Sequence, residues 1–564
     1  MINNATKLRI YKPLIHYAVF TVVLLALTAA LEDLGGLSGL WWHKVLELPL
    51  VLYLYFFFRQ LLHGQRGGPV LAAVPVVLVY LLFDAYFLLF GRVFRLSEMR
   101  EVPELLDILP WYTSLPILVG VLVPLVWILT RMRVRSLRWL MVSVAPLVLV
   151  AGSIVFRPDL FLVGFASAAN GMVEWSDAEA VRWNGRLSMV LYHEAKREAA
   201  VREVADYTAD TDYEQSFQQT LATLSRSANK RNIHVMVLEG FVDPARFEHL
   251  QLNRDPLQPG FRALLADGRG DLAISPVFGG YTAQAEFEVL CGAPALQVLG
   301  TIEFNIFTGA RVHCLPDVLD SLGYRTVISR GYKPHFFNAL MALRGTGFEE
   351  IYFAREYAPN RDTYISTGDV RREKYMFDKT LLDQNLDFVR QHLATRRDEP
   401  LLNYVLTIYG HYPYRLDEAL RPRLIEPLGP APADEELKIV LNQLYYRSKA
   451  VAAYVQELMA LDPDSLILFV SDHLPPLQEG IKAYERLGYL GGRDNAAHHT
   501  LLSVLDAGRP LSLGSLHQYE IPTLIYRVLT DGAYCEDGSC GTRSPQSLRN
   551  AYLRIMAHAV SDPA

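Results

Sequence analysis

The sequence predicts an α-helical membrane domain followed by an α/β domain, and three observations predict it. Hydrophobic residues make up 51% of the 564-residue chain, and the excess is concentrated before about residue 158, too much for one soluble globule. From Ile233 onward, strand-like and helix-like runs alternate, the pattern of an α/β fold. Two of the strand-like runs stop on ionisable groups. Val235 to Glu239 (VMVLE) ends on Glu239, and Leu466 to His473 (LILFVSDH) ends on Asp472 and His473. In an open α/β sheet the carboxyl ends of the strands line the ligand crevice, so groups this far apart in sequence can converge there.

Five stretches of the front region have the length and apolarity of membrane spans, roughly 20 residues each: Leu14 to Leu31, Leu40 to Phe58, Pro69 to Phe90, Pro110 to Thr130 and Leu137 to Val155. The second is the most polar, with His43, Lys44 and Glu47. A cleaved signal peptide does not account for the first, because no small-residue cleavage motif follows it and four more spans do. Lys7, Arg9 and Lys12 precede the first span, Arg59 and Arg66 follow the second, and Arg131, Arg133, Arg135 and Arg138 lie between the fourth and fifth. The positive-inside rule puts these segments in the cytoplasm. With an odd number of spans, everything after Val155 is expected across the membrane.

The domains expected are therefore a five-helix membrane domain over residues 1–158, a juxtamembrane helical linker over 159–231 and a catalytic domain over 232–564. Within the linker, Arg186 to Asp206 alternates an apolar and a charged face at helical spacing. All four cysteines, Cys291, Cys314, Cys535 and Cys540, fall in the exported part, where disulfides persist. Four thiols allow three pairings, of which Cys291 with Cys314 and Cys535 with Cys540 is favoured, the second closing a tight loop. Neither pair has the two-residue spacing of a structural zinc site. A net charge of −6 gives no basic footprint for nucleic acid.

In the α/β region the strands expected are Ile233 to Leu238, Leu272 to Ser275, Thr326 to Ser329, Asn403 to Ile408 and Leu466 to Val470. The helices expected are Ala283 to Leu290, Cys314 to Leu322 and Glu435 to Leu461. About 300 residues suffice for one large core.

Glu239, Asp472 and His473 offer oxygen and nitrogen ligands suited to a divalent cation. Thr282, in GGYTAQAEFEVLCG, adds a nucleophilic hydroxyl where a strand hands over to a helix. The two glycines permit close approach of backbone to substrate, and the following helix aims free N–H groups at an incoming phosphate. A threonine hydroxyl is a weak nucleophile at its free pKa, and coordination to a divalent cation is one way to activate it.

Taken in order, Glu239 (VLEGF), Thr282 (GGYTAQAEFEVLCG), His411 (YGHYPY) and Asp472-His473 (SDHLPP) resemble the alkaline phosphatase and sulfatase superfamily, and within it the membrane-bound lipoteichoic acid synthases. EFEVL after the threonine is similar to that group. CGAP at Cys291 and CLPDVLDSLGY at Cys314 look like the phosphoglycerol transferases that decorate periplasmic glucans in Gram-negative bacteria. The resemblance implies an alkaline phosphatase-like (sulfatase-like) extracytoplasmic domain on a multi-pass anchor in the bacterial inner membrane, facing the periplasm. It implies that Glu239, Thr282, Asp472 and His473 bind one divalent cation, Mn2+ or Mg2+ with Zn2+ as the alternative. Thr282 would become covalently substituted, and His411 would contact the transferred phosphate and act as general acid or base. The family's Trp-x-Arg element corresponds here to Phe337 and Ala339, so Arg330 and His335 are the residues expected to supply positive charge to the substrate. Formylglycine chemistry is excluded, because Thr282 cannot yield that aldehyde.

The activity implied is transfer of a phosphoglycerol head group from a membrane phospholipid, phosphatidylglycerol, through Thr282 to a periplasmic or cell-envelope glycan. Two alternatives stay open: a phosphoethanolamine transferase acting on lipid A or a glycan, and a non-catalytic membrane regulator that keeps the fold.

Overall fold

The computed structural model describes residues 4–40, 46–90, 93–96, 99, 102, 111–133, 136–169, 177–207, 211–368, 370–428, 435–536, 540–541 and 543–561. His43, Lys44 and Arg135 lie outside them. The chain divides into two compact units, residues 1–202 with 298–301, and residues 203–297 with 302–564.

The first unit is helical: α1 (Asn4–Asp33), α2 (Glu47–Leu61), α3 (Gly68–Phe90), α4 (Trp111–Arg131), α5 (Leu137–Phe156), α6 (Pro158–Ala168), α7 (Asp177–Asn184) and α8 (Arg186–Asp206), which runs into the second unit. Four segments are long and apolar enough to cross a membrane: Leu14–Asp33, Gly68–Leu88, Ser114–Arg131 and Leu137–Phe156. Their outward faces are hydrocarbon; Val123 is 60% exposed and Leu149 72%, the arrangement lipid rather than water accepts.

Of the second expected span the structure describes the 15-residue helix α2, residues 41–45 lying outside the described residues. Glu47 stands at its start. That carboxylate is fully buried and accepts hydrogen bonds from the backbone N–H groups of Arg186 (3.1 Å), Leu187 (3.1 Å) and Ser188 (2.9 Å), and from Ser188 Oγ (2.8 Å). It thus caps the amino end of α8, where free donors and the helix dipole favour an anion. Gly185 makes the approach possible, since a Cβ there would lie 2.5 Å from that of Glu47. Arg186 completes the knot by pairing with Asp84 of α3 at 2.8 Å and donating to the carbonyls of Leu37 and Ser38. A residue bound in this way serves packing within the unit.

The second unit opens with α9 (Thr211–Ser227) and then builds a mixed sheet from β1 (Ile233–Leu238), β2 (Asp271–Ile274), β3 (Arg325–Arg330), β4 (Glu350–Phe353), β5 (Leu401–Leu406), β6 (Leu466–Ser471), β7 (His499–Asp506) and β8 (Ser515–His517). Their order is β8-β2-β7-β6-β1-β5-β3-β4, with Arg509–Pro510 beside β7. β1 lies between β5 and β6 and is parallel to both. β7 is antiparallel to β6 and to β2. All six residues of β1, β5 and β6 are buried, as expected of central strands covered on both faces. The helices that bear on the site are α10 (Thr282–Cys291), α11 (Leu315–Ser321), α12 (Asp378–Thr395), α13 (Glu435–Leu461), α14 (Ile521–Leu529) and α15 (Pro545–Ala559). The five expected strands and three expected helices are all present within a residue or two at their ends, and β4, β7, β8, α12, α14 and α15 are additional. Cys291 pairs with Cys314 and Cys535 with Cys540, which ties the end of α10 to the start of α11.

Candidate active site

Register explains why residues more than two hundred positions apart meet. Leu238, the last residue of β1, is paired with Ser471, the last of β6, so the next residues, Glu239 and Asp472, emerge side by side at the carboxyl edge. Both are buried, as is His473. His473 Nε2 lies 3.4 Å from Glu239 Oε1 and 3.2 Å from Asp472 Oδ2, and ligand atoms of the three fall within 4.8 Å of one another. Thr282 is the first residue of α10, and its Oγ1 donates to Glu239 Oε2 at 3.0 Å. The turn before it is forced: Gly279 and Gly280 have φ of 69° and 151°, and Tyr281 is left-handed at 62°, a conformation a non-glycine residue holds only when its surroundings impose it.

His411 reaches the same edge from the loop after β5. Gly410 and the Glu239-Gly240 corner touch through their backbones; a Cβ on Gly410 would fall 2.1 Å from Glu239 O. The His411 Nδ1 faces the carbonyl of Tyr412, which can only accept, so Nδ1 carries the proton and Nε2 keeps its lone pair. Tyr375 donates to that same carbonyl at 2.8 Å. Burial holds the His411 imidazole below its ordinary pKa, against the pull of Glu239, which leaves Nε2 free to take a proton near neutrality.

The donor set fits a divalent cation. Glu239 Oε1, Asp472 Oδ2 and His473 Nε2 are buried without a hydrogen-bond partner, three orphaned atoms aimed at one point, whereas their sister atoms are satisfied. Asp472 Oδ1 accepts from Gly240 N at 2.8 Å and His473 N at 2.7 Å, and His473 Nδ1 donates to Leu474 O at 2.9 Å. This leaves Nε2 as the ligating nitrogen. Burial and the charge of Glu239 push the Asp472 carboxyl up. Two carboxylates this close call for a positive counter-charge.

The expected substrate contacts are placed differently from one another. Arg330, the last residue of β3, is 2% exposed and pairs with Glu286 at 2.7 Å, one helical turn behind Thr282. His335 is exposed, next to Phe336, whose ring lies 6.1 Å from that of His411. Glu286 was not singled out in the sequence, although it stands four residues after Thr282. Burial raises its pKa, partly offset by Arg330. Arg447 was also missed. Fully buried in α13, it bonds Asp378 at 2.7 Å through Nε and donates to the main-chain carbonyls of Glu239 (2.6 Å) and Gly240 (3.3 Å). The available signal was an arginine in line with the buried Leu444 and Val451 of the same helix.

A family model and several known proteins resemble this chain. The family model described as Sulfatase matches residues 231–528, more than half of the chain. The "Putative cyclic beta-1,2-glucan modification protein" of Rhizobium meliloti (strain 1021) is 26% identical over 279 residues, 47% of this chain and 38% of its own length. A lipoteichoic acid synthase of Staphylococcus aureus (strain USA300) is 23% identical over 287 residues, 49% of this chain and 40% of its own. The chain thus spans about 40% of the length of these curated relatives. The phosphoglycerol transferase GacH of Streptococcus pyogenes, solved with sn-glycerol-1-phosphate, superposes with a TM-score of 0.47 at 15% identity, covering 64% of this chain and 92% of that one. With the family model covering residues 231–528, which include Thr282 at the head of α10 and Glu239 and Asp472-His473 after β1 and β6, the chain belongs to the sulfatase family.

Proposed function

We propose that the protein is a membrane-anchored, metal-dependent transferase that moves a phosphoglycerol head group from phosphatidylglycerol, through a covalent intermediate on Thr282, to a glycan of the cell envelope. The observation that carries this reading is the Thr282 hydroxyl at the amino end of α10, 3.0 Å from Glu239 Oε2 and beside three orphaned ligand atoms. A divalent cation held by Glu239, Asp472, His473 and Thr282 would supply Lewis-acid charge for the nucleophile and the phosphoryl oxygens. In the first step Thr282 Oγ1 attacks phosphorus, the P–O bond to diacylglycerol breaks, and diacylglycerol carries off the proton that Thr282 loses. In the second, an acceptor hydroxyl attacks the Thr282 diester while His411 Nε2 takes its proton. The bond to Thr282 Oγ1 breaks and that oxygen is reprotonated. The free N–H groups of α10 face the phosphate in both steps, and His335 is assigned to the orientation of the head group, whereas Arg330, buried and paired with Glu286, lends its charge from behind the nucleophile without touching the head group. Membrane tethering confines the enzyme to the surface where its lipid donor resides, with the α/β unit on the periplasmic face, which raises the donor's effective concentration. The relatives named as glucan-modifying and as lipoteichoic acid synthase support a cell-envelope acceptor.

The test is mass spectrometry of the Thr282 peptide after incubation with defined phospholipids. An added glycerol phosphate supports the reading, an added phosphoethanolamine moves the donor to phosphatidylethanolamine, and an unmodified threonine with wild-type turnover by Thr282→Ala ends the covalent mechanism. Thr282→Ser keeps the hydroxyl and retains part of the activity.

A further inference from the structure

The aromatic side chains of the α/β unit are buried or half-buried, with a single exception. Tyr412 is 40% exposed, and among the described residues of 203–564 no other Phe or Tyr is open to that degree. It follows His411 directly. The rings gathered about His411 are closed by contrast: Tyr332, Phe336, Phe337 and Tyr375 are all at most 9% exposed.

The exposed ring is held by the parts that build the site. Its carbonyl receives the Tyr375 hydroxyl at 2.8 Å and faces Nδ1 of His411. Its ring meets that of Tyr414 edge-on, with centroids 5.7 Å apart. Tyr414 in turn donates to Pro476 O at 2.8 Å, and Pro476 packs against Gly279, where a Cβ would come within 3.1 Å. Pro476 is in the loop that begins with Asp472 and His473, and Gly279 is in the turn that ends on Thr282. Tyr412 therefore stands where the loops of the base, the ligands and the nucleophile come together. An aromatic ring left in solvent at such a place offers a rigid, amphipathic contact surface at little cost in conformational entropy. A pyranose matches it, with C–H groups on one face for the ring and hydroxyls around the rim for polar partners.

We propose that Tyr412 is the platform on which the acceptor sugar stacks, presenting one hydroxyl to His411 Nε2 and to the phosphodiester on Thr282. The inference rests on the transferase reading and deepens it by naming the acceptor subsite. The bond changes are those of the second step: the sugar oxygen forms its bond to phosphorus, the bond to Thr282 Oγ1 breaks, and the sugar's proton passes by way of His411 to the departing threonine oxygen. When water takes the sugar's place, free glycerol phosphate results. The ring thus sets the partition between transfer and hydrolysis.

The experiment measures that partition. Full-length protein with Mn2+ is given head-group-labelled phosphatidylglycerol and a glucose oligosaccharide, and sugar-linked and free glycerol phosphate are counted in the same reaction, so that differences in folded fraction or total turnover cancel. Tyr412→Ala is expected to lower the ratio of sugar-linked to free product about tenfold, whereas Tyr412→Phe, which keeps the ring, holds it within about twofold. An unchanged ratio in Tyr412→Ala overturns the proposal, as does wild-type cleavage of the lipid that yields only free glycerol phosphate, which leaves the first step of the transferase reading intact. Absence of diacylglycerol release by the wild type overturns that donor reading instead. Saturation-transfer NMR of the oligosaccharide then decides the platform alone: a transfer signal that vanishes in Tyr412→Ala supports it, and an equal signal from both proteins overturns it.

Discussion

Arg447→Met removes a side chain that grips both the backbone of the Glu239-Gly240 corner and a buried carboxylate. Three hydrogen bonds are lost: to Asp378 at 2.7 Å, Glu239 O at 2.6 Å and Gly240 O at 3.3 Å. Asp378 is left buried without its ion-pair partner, a change that costs about 3–5 kcal/mol, a large share of a typical domain stability of about 5–15 kcal/mol. Pairing the change with Asp378→Leu removes the stranded carboxyl and restores most of the stability, because an apolar pair of similar volume tolerates the site. The Glu239 and Gly240 carbonyls still lack their donor, so the corner that aims Glu239 Oε1 is loosened. Metal affinity is expected to stay about 10–100-fold weaker in the double variant, the usual consequence of losing support behind a ligand. Calorimetric titration of chelator-stripped full-length protein with Mn2+ measures the affinity, and thermal melting of the same metal-free samples measures the stability. If the double variant binds Mn2+ as tightly as the wild type, Arg447 has no part in positioning Glu239 and its role is packing alone.

Asp472→Ala takes away one of the orphaned ligand atoms and is expected to abolish stoichiometric metal and lipid turnover together, with a circular dichroism spectrum like that of the wild type; full metal occupancy by mass spectrometry would sink the ligand assignment. Glu288, 3% exposed on α10, is pushed by burial from 4.5 to about 8. The folded protein therefore keeps a proton that the unfolded chain releases, and its contribution to stability, full below the unfolded value, is lost as pH rises through about 8. The melting temperature of Glu288→Gln should fall less between pH 5 and 8 than that of the wild type, and parallel profiles would refute the shift. For topology, an extracytoplasmic reporter fused after residue 230 should be active and a cytoplasmic one silent, while a thiol probe at Arg133→Cys should react only from the cytoplasmic side.

Much of the site was legible because it depends on local rules. A fully buried strand needs an unbroken apolar run and must end before its first charge, so Glu239 and Asp472-His473 marked the ends of β1 and β6 by themselves, and the glycines before Thr282 marked a turn that leads into a helix. The two disulfides followed from four cysteines whose spacing favours near neighbours. Membrane apolarity is equally local, and four of the expected spans have the length and hydropathy to cross a bilayer. What pairing decides was not legible. β7 (HTLLSVLD) carries Thr500 and Ser503 in its apolar run, each buried with its hydroxyl on a main-chain carbonyl, of Ala273 and of Leu264, and nothing in those eight residues names the partners. Nor does Glu47 announce that it caps a helix that begins some 140 residues later.

The sequence alone determined which groups are available: a threonine hydroxyl, two carboxylates and two imidazoles, in a chain with an apolar front region. Only tertiary structure decided how those groups are held. The registry of Leu238 with Ser471 sets Glu239 beside Asp472. Arg330 spends its charge on Glu286 behind the nucleophile. Arg447 reaches across from α13 to the corner at Glu239, and Tyr412 stays 40% exposed beside the buried Tyr414. The physical reason is that strand termination and turn formation are governed by residues within a few positions, whereas hydrogen-bond partnership and exposure depend on elements that become neighbours only when the sheet assembles.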